Sequence, residues 1–316
     1  MNYSGRCFCL WATFALAPLA AEPFPEGPPE FRVLLVGDSW ADFFWQNASL
    51  RDVFAAHGFP EILEKGDVTA ISGSTAAQWA QADHLQLITD ELAANPTIEV
   101  VQVSIGGNDF LAGQPGGGWF TGMTPQAVET LFTTIAANTQ TVIDHILALR
   151  PDLEILISLY DYPNFVESLN GPLFFFCNGR WNDMGQPTPL QLNQIQTEFL
   201  DRIQIMVTPQ PRVFLVRHLG LMQFHFGFPG LEILPGDLPP PGDLNLPSPQ
   251  EAMFLNADCF HLNPAGYAIL AENLWNGYYI DVFSCLTEGQ FGERLTDWPQ
   301  TRAVTDLIES LDRLCP

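Results

Sequence analysis

Three side chains at particular places in this sequence could together transfer an acyl group. Ser39 stands in "VGDSW", where an apolar run gives way to an aromatic stretch, and Asp258 and His261 stand three positions apart in "DCFHLNPAGY". A serine hydroxyl is a weak nucleophile at neutral pH. It needs a base within hydrogen-bond reach and donors for the oxyanion that forms on the carbonyl it attacks. On a turn or incipient helix, residues at i and i+3 share a face. The Asp258 carboxylate can therefore reach one imidazole nitrogen of His261, fixing its tautomer, and leave the other nitrogen for Ser39. Two glycine-containing corners supply donors. "ISGSTAAQW" lets Gly73 present a backbone N–H with no side chain in the way, and "SIGGNDF" lets the Asn108 carboxamide aim an N–H into a crevice. Ser39, at the start of a helix, would also sit in the favourable field of the helix N-terminus. Taken singly, each piece has an ordinary explanation: Ser39, Asp38 or Asp109 as a helix cap, "GGND" as a turn, Asp258 and His261 as a surface turn. The reading rests on their occurring together.

Residues from four places converge only if the elements carrying them end at one edge. Apolar residues fill nearly every position of the runs 31 to 37, 67 to 72, 98 to 106, 153 to 160 and 212 to 219, the pattern of strands buried on both faces. Helical patterns lie between them, at about 41 to 57, 75 to 94, 125 to 149 and 189 to 207, with a last one near 264 to 277. Three of these open on Thr124-Pro125, Thr188-Pro189 and Asn263-Pro264, a capping side chain followed by proline at the first helical position. Alternating strands and helices predict an α/β fold, a three-layer α/β/α sandwich around a mainly parallel five-stranded sheet. In such sheets ligands bind beyond the carboxyl ends of the strands, which is where Ser39, Gly73 and Asn108 fall. Segments 161–187 and 220–255, rich in Phe, Pro and Gly without helical or strand period, read as long loops walling a substrate cleft, or as plain covering of the domain.

"GDSW", Gly73, "GGND" and "DCFH", in this order, resemble the four blocks of the SGNH hydrolase superfamily, the GDSL-type esterases and lipases. The resemblance spans about Phe31 to Tyr267. It implies an SGNH or flavodoxin-like fold, Ser39 as nucleophile, His261 as base with Asp258 as its partner, and an oxyanion hole of the Ser39 and Gly73 backbone N–H groups with the Asn108 side chain. Trp40 departs from the leucine that many members carry, at a position expected to pack and not to react. Gly73 has the least distinctive surroundings of the set. The "GxSxG" elbow of α/β-hydrolases is absent around Ser39.

Composition narrows the partners. Acidic residues outnumber basic ones by 36 to 12 in 316 residues, a formal charge of −24, and Lys65 is the only lysine. Such a surface repels phosphate backbones and argues against nucleic-acid binding. His57, His84, His145, His218 and His225 lack zinc-ligand spacing and no "HExxH" occurs, so neither a metal nor another cofactor is expected; His225, inside "QFHFGF", could line the cleft or simply pack. At the N-terminus Arg6 precedes an apolar run of roughly fifteen residues and small residues around Ala21, the layout of a secretory signal over residues 1–21 and too short for an ordinary membrane span. A secreted or periplasmic protein is expected, with the hydrolase domain over 22–284 and a tail over 285–316. Asn47-Ala48-Ser49 has the form of a glycosylation sequon and reads as a chance match.

With Cys7 and Cys9 inside the signal, Cys177, Cys259, Cys285 and Cys315 remain, and four cysteines in an exported chain suggest two disulfides with three pairings open. Cys285–Cys315 is favoured because it would tie down the tail, leaving Cys177–Cys259 by elimination; buried free thiols are the alternative. The expected substrate is a small-molecule, lipid or glycan ester. The Phe-rich segments favour an acyl chain or aromatic ester and hence a carboxylesterase or lipase. Trp119 and Trp181 could instead stack on a sugar, as a carbohydrate acetyl esterase would require. A binding module that kept the fold without turnover is the reading from a different class.

Overall fold

The structure, a computed structural model, describes residues 29–168 and 174–283. Five strands form one all-parallel sheet: β1 (Glu30–Gly37), β2 (Ile62–Lys65), β3 (Val100–Ser104), β4 (Glu154–Ser158) and β5 (Val213–Val216), in the order β2-β1-β3-β4-β5. Val33 to Val36 of β1 and all of β3 are buried, as strands covered on both faces must be. Helices Ala82–Ala94, Pro125–Leu149 and Pro189–Val207 pack together in one layer, and Ser39–Gln46, Ser49–Ala56 and Pro264–Leu274 in another. This is the expected three-layer sandwich. The Thr124, Thr188 and Asn263 side chains each accept a backbone N–H from the first turn of their helices, with proline behind them at the first position.

One expected strand is not a strand. The run 67–72 makes a turn and a single bridge, Ala70 to Gly37, and the outer strand is instead Ile62–Lys65. The cause is local: the chain crosses the end of β1 instead of running along it. The Thr69 hydroxyl donates to the Leu35 carbonyl at 2.6 Å, Gly37 N–H donates to Thr69 O at 2.9 Å, and Ile71 N–H donates to Gly37 O at 2.7 Å. The expected helix over 41–57 starts earlier, at Ser39, and breaks at Ala48, whose φ of 53° lies in the left-handed region. The expected helix over 75–94 divides into Ala76–Trp79 and Ala82–Ala94 around Gln81. Pro264–Leu274 runs on through a wide turn, Trp275–Tyr279, into Ile280–Phe283.

Segment 161–187 is not a loop throughout. It holds helices Phe165–Ser168 and Phe174–Asp183, the second anchored by a disulfide between Cys177 and Cys259 with a Cα separation of 5.8 Å. Segment 220–255 contains the short helix Leu221–Phe226 and is knit by the buried Gln223, whose amide donates to the Leu246 carbonyl at 2.6 Å and accepts from Asp243 N–H at 2.7 Å. The signal-like residues 1–21 and the Cys285–Cys315 pairing lie outside the described residues, as does the tail from 285 on. No helix among the described residues is long and apolar enough to cross a membrane.

Candidate active site

Ser39 is the first residue of helix Ser39–Gln46, at the carboxyl end of β1. Asp38 caps that helix, its Oδ1 accepting the Trp40 N–H at 2.9 Å. This cap leaves the Ser39 hydroxyl free to point elsewhere, and it faces His261: Nε2 lies 2.8 Å from Ser39 Oγ. On the other side of the ring, Nδ1 lies 3.0 Å from Asp258 Oδ2. Asp258 Oδ1 accepts the backbone N–H of Phe260 at 2.9 Å and of His261 at 3.0 Å, so the carboxylate is held by the turn it serves. Burial pushes the Asp258 carboxyl up, but the His261 hydrogen bond and charge and the two N–H donors outweigh it and hold the group below its ordinary range. Asp258 is therefore ionised at neutral pH.

The loop carrying the pair has little regular structure and is fixed by individual contacts. Phe254 N–H donates to the His261 carbonyl at 2.8 Å, Asn263 N–H donates to Ala252 O at 2.8 Å, and Asn164 N–H donates to Cys259 O at 2.7 Å. The disulfide to Cys177 joins at the residue following Asp258. Phe43, one helical turn beyond Ser39, stacks on the His261 ring at 5.0 Å and on Tyr267 at 5.6 Å. Cys177, Asp258 and Cys259 also form the one cluster of metal-ligand residue types among the described residues, but both sulfurs are spent in the disulfide, leaving no thiolate to bind an ion.

The oxyanion candidates are tied into one frame. Asn108 donates one amide N–H to the Ser74 carbonyl at 3.0 Å, which fixes the carboxamide and leaves its second N–H for another acceptor. Ser74 Oγ donates to the Gly37 carbonyl at 3.2 Å and accepts from Trp79 Nε1 at 2.8 Å. Asp109 receives Ala76 N–H at 2.7 Å, binding the Asn108 turn to the helix after Gly73. Gly73 has φ +83°, in the region that favours glycine, and is exposed. Neither its backbone N–H nor that of Ser39 has an acceptor among the described residues.

A small pocket opens beside Ser39, lined by Trp40, Asn108, Phe110, Leu111, Tyr160 and Phe260 among others. Trp40 is buried, edge-on to Tyr160 at 5.2 Å, so it packs as expected. Of the two long segments, 161–187 contributes Asp161 and Pro163 to the lining and 220–255 contributes nothing. Gly73 is not part of the lining either. Trp119 is buried against Phe110 and borders a separate groove, and Trp181 donates its indole N–H to the Pro187 carbonyl at 3.1 Å. His225 is exposed, edge-on to Phe224, and away from the pocket. The sequence reading did not single out Phe43 and Tyr160; an aromatic ring closing an otherwise aliphatic strand run was the available signal for Tyr160.

The family model for GDSL-like lipases and acylhydrolases matches residues 33–274. The chain belongs to that family of ester hydrolases, and the match spans Ser39, Gly73, Asn108, Asp258 and His261. No curated protein matches the chain. Solved structures similar to it include a family 3 carbohydrate esterase from Talaromyces cellulolyticus, 10% identical with a TM-score of 0.47, covering 81% of this chain and 100% of that one. A member of the lipolytic protein G-D-S-L family from Veillonella parvula is 11% identical with a TM-score of 0.44, covering 79% and 98%. The family 3 carbohydrate esterase of Clostridium thermocellum is 15% identical with a TM-score of 0.43, covering 80% and 97%.

Proposed function

We propose that the protein is an exported serine carboxylesterase or lipase that hydrolyses acyl esters through an acyl-enzyme. The observation that carries this reading is the relay Asp258–His261–Ser39, closed at 3.0 and 2.8 Å at the mouth of a largely apolar pocket. Ser39 Oγ attacks the ester carbonyl carbon as His261 Nε2 takes its proton, and Asp258 stabilises the imidazolium. The carbonyl oxygen, now an oxyanion, accepts from the Ser39 and Gly73 backbone N–H groups and the second Asn108 N–H. Collapse expels the alcohol, which leaves with the proton from His261. Water deprotonated by His261 then attacks the acyl-Ser39 carbonyl and regenerates the serine. The Cys177–Cys259 bond supports export, since such bonds persist in oxidising compartments. The carbohydrate reading draws no support from Trp119 or Trp181, because neither ring faces the pocket.

The test is hydrolysis of a nitrophenyl ester series, acetyl through long-chain acyl, by wild type and by Ser39→Ala, with fluorophosphonate labelling in parallel. Turnover and label are both expected to vanish in Ser39→Ala. A folded wild type that neither turns over nor takes the label would favour a binding module instead.

A further inference from the structure

Tyr160 follows β4 and is a buried residue of the pocket lining, where a phenylalanine would fill the same space. What the hydroxyl adds is two contacts. It donates to Asp38 Oδ2 at 2.6 Å and accepts the Gly107 backbone N–H at 2.7 Å. Asp38 immediately precedes Ser39, and Gly107 immediately precedes Asn108. We propose that Tyr160 is a positioning residue: its phenol oxygen bridges the nucleophile's turn and the oxyanion turn, and so sets the distance between Ser39 and the Asn108 carboxamide. This inference rests on the esterase reading and concerns the same site.

Several features favour positioning over simple packing. The two turns leave neighbouring parallel strands, β1 and β3, whose last ladder partners are Gly37 and Ser104. Beyond that pair the two strands share one more backbone bond, Asp38 N–H to the Ser104 carbonyl at 2.9 Å, and no further ladder pair. The phenol bridge comes from just beyond the end of β4, the neighbouring strand of β3, so a third segment ties both turns. Gly107 is glycine for this contact: a Cβ there would meet Tyr160 Cζ at 2.5 Å and its hydroxyl at 2.8 Å. Burial and the neighbouring Asp38 carboxyl push the phenol well above its ordinary value, so it keeps its proton and remains a donor to Asp38. Oxyanion stabilisation depends on donors already standing at 2.7 to about 3.1 Å from the oxygen position in the transition state. A shift of the Asn108 turn by a fraction of an ångström therefore costs rate without costing ground-state binding.

Tyr160→Phe is expected to lower kcat for a nitrophenyl ester about 10- to 100-fold with KM changed less than about 3-fold, measured well below its Tm. A double-mutant cycle with Asn108→Ala separates positioning from stability. If Tyr160 acts through Asn108, the double variant loses far less than the product of the two single losses. A purely structural hydroxyl would lower Tm, leave kcat unchanged and give multiplicative losses, and that result overturns the proposal. Should Tyr160→Phe fail to fold, Gly107→Ala, which crowds the phenol off its partners, is expected to show the same kcat loss and the same non-additivity; full kcat in that variant overturns it equally. Absence of Ser39-dependent turnover in wild type would instead overturn the esterase reading and this inference together.

Discussion

Two serine–histidine pairs occur among the described residues, and they differ in what stands behind the ring. In the first, Ser39 Oγ is 2.8 Å from His261 Nε2 and the Asp258 carboxylate is behind Nδ1. In the second, Ser158 Oγ is 3.0 Å from His218 Nε2, but Asn273 Nδ2 donates to Nδ1 at 3.0 Å. A donor at Nδ1 makes that nitrogen the acceptor, so the proton sits on Nε2 and is given to Ser158. That ring cannot take a serine proton. Burial completes the contrast, pushing His218 down to about 3, so it stays neutral. A serine and a histidine in contact are therefore not evidence of a nucleophile. A carboxylate behind the ring and a pocket in front of the hydroxyl are what separate the two pairs.

The largest effect that could break this comparison comes from the carboxylate. Asp258→Asn is expected to lower kcat by about 10²- to 10⁴-fold, because the amide no longer enforces the tautomer that accepts from Ser39. Steady-state hydrolysis measures it, and retention of wild-type turnover would remove Asp258 from the relay. Next comes Asn108→Ala, with an expected loss of about 10²-fold or more in kcat and little change in KM, as for removal of an oxyanion donor. Ser158→Ala should leave kcat within about 2-fold while costing about 1–3 kcat-independent kcal/mol of stability for the orphaned His218 N–H, read from denaturant melts. Strong loss of turnover there would show that the buried pair is not merely structural.

The smallest expected effect is a pH dependence of stability. Burial pushes Asp38, Asp161 and Glu64 up to about 7. Their unfolded values are about 4, so each one's contribution is full below that and lost as pH rises through 7. His218 runs the other way: its contribution is full above its unfolded value of about 6.5 and is lost as pH falls toward about 3. Burial also raises Asp109 and lowers His225, so four raised carboxyls against two lowered histidines predict a Tm that rises as pH is lowered from about 8 to about 5. Below that, protonation of Asp258, which is held low in the fold, reverses the gain. A Tm falling steadily from pH 8 to 5 by calorimetry would contradict the assignment.

What was legible in the sequence follows the physics of each part. β1, β3, β4 and β5 announce themselves because burial on both faces demands continuous apolar runs, and the Thr-Pro and Asn-Pro helix starts carry their own capping chemistry. The outer strand did not: "ILEK" carries a buried Glu64 and a terminal lysine, whereas 67–72 looks apolar but is spent on side-chain and bridge contacts across the end of β1. Ser39, Asn108, Asp258 and His261 could be found because each is a distinct chemical type at a strand or helix boundary. Phe43 and Tyr160 could not be found so directly. Their contacts to His261, Asp38 and Gly107 span chain separations that no local pattern encodes. The helix Phe174–Asp183 was hidden because its hold on the domain includes a covalent bond, and a bond needs no apolar period.

That bond also gives the chain a particular connectivity. Cys177 and Cys259 close a ring whose arc contains helix Pro189–Val207, β5 and all of 220–255. Ser39 precedes the ring and His261 follows it. A single backbone cut anywhere on the arc therefore leaves one covalent molecule, with Ser39 and His261 still joined through the sulfur bridge. An insertion or proteolytic nick on this arc thus leaves Ser39 and His261 on one covalent molecule.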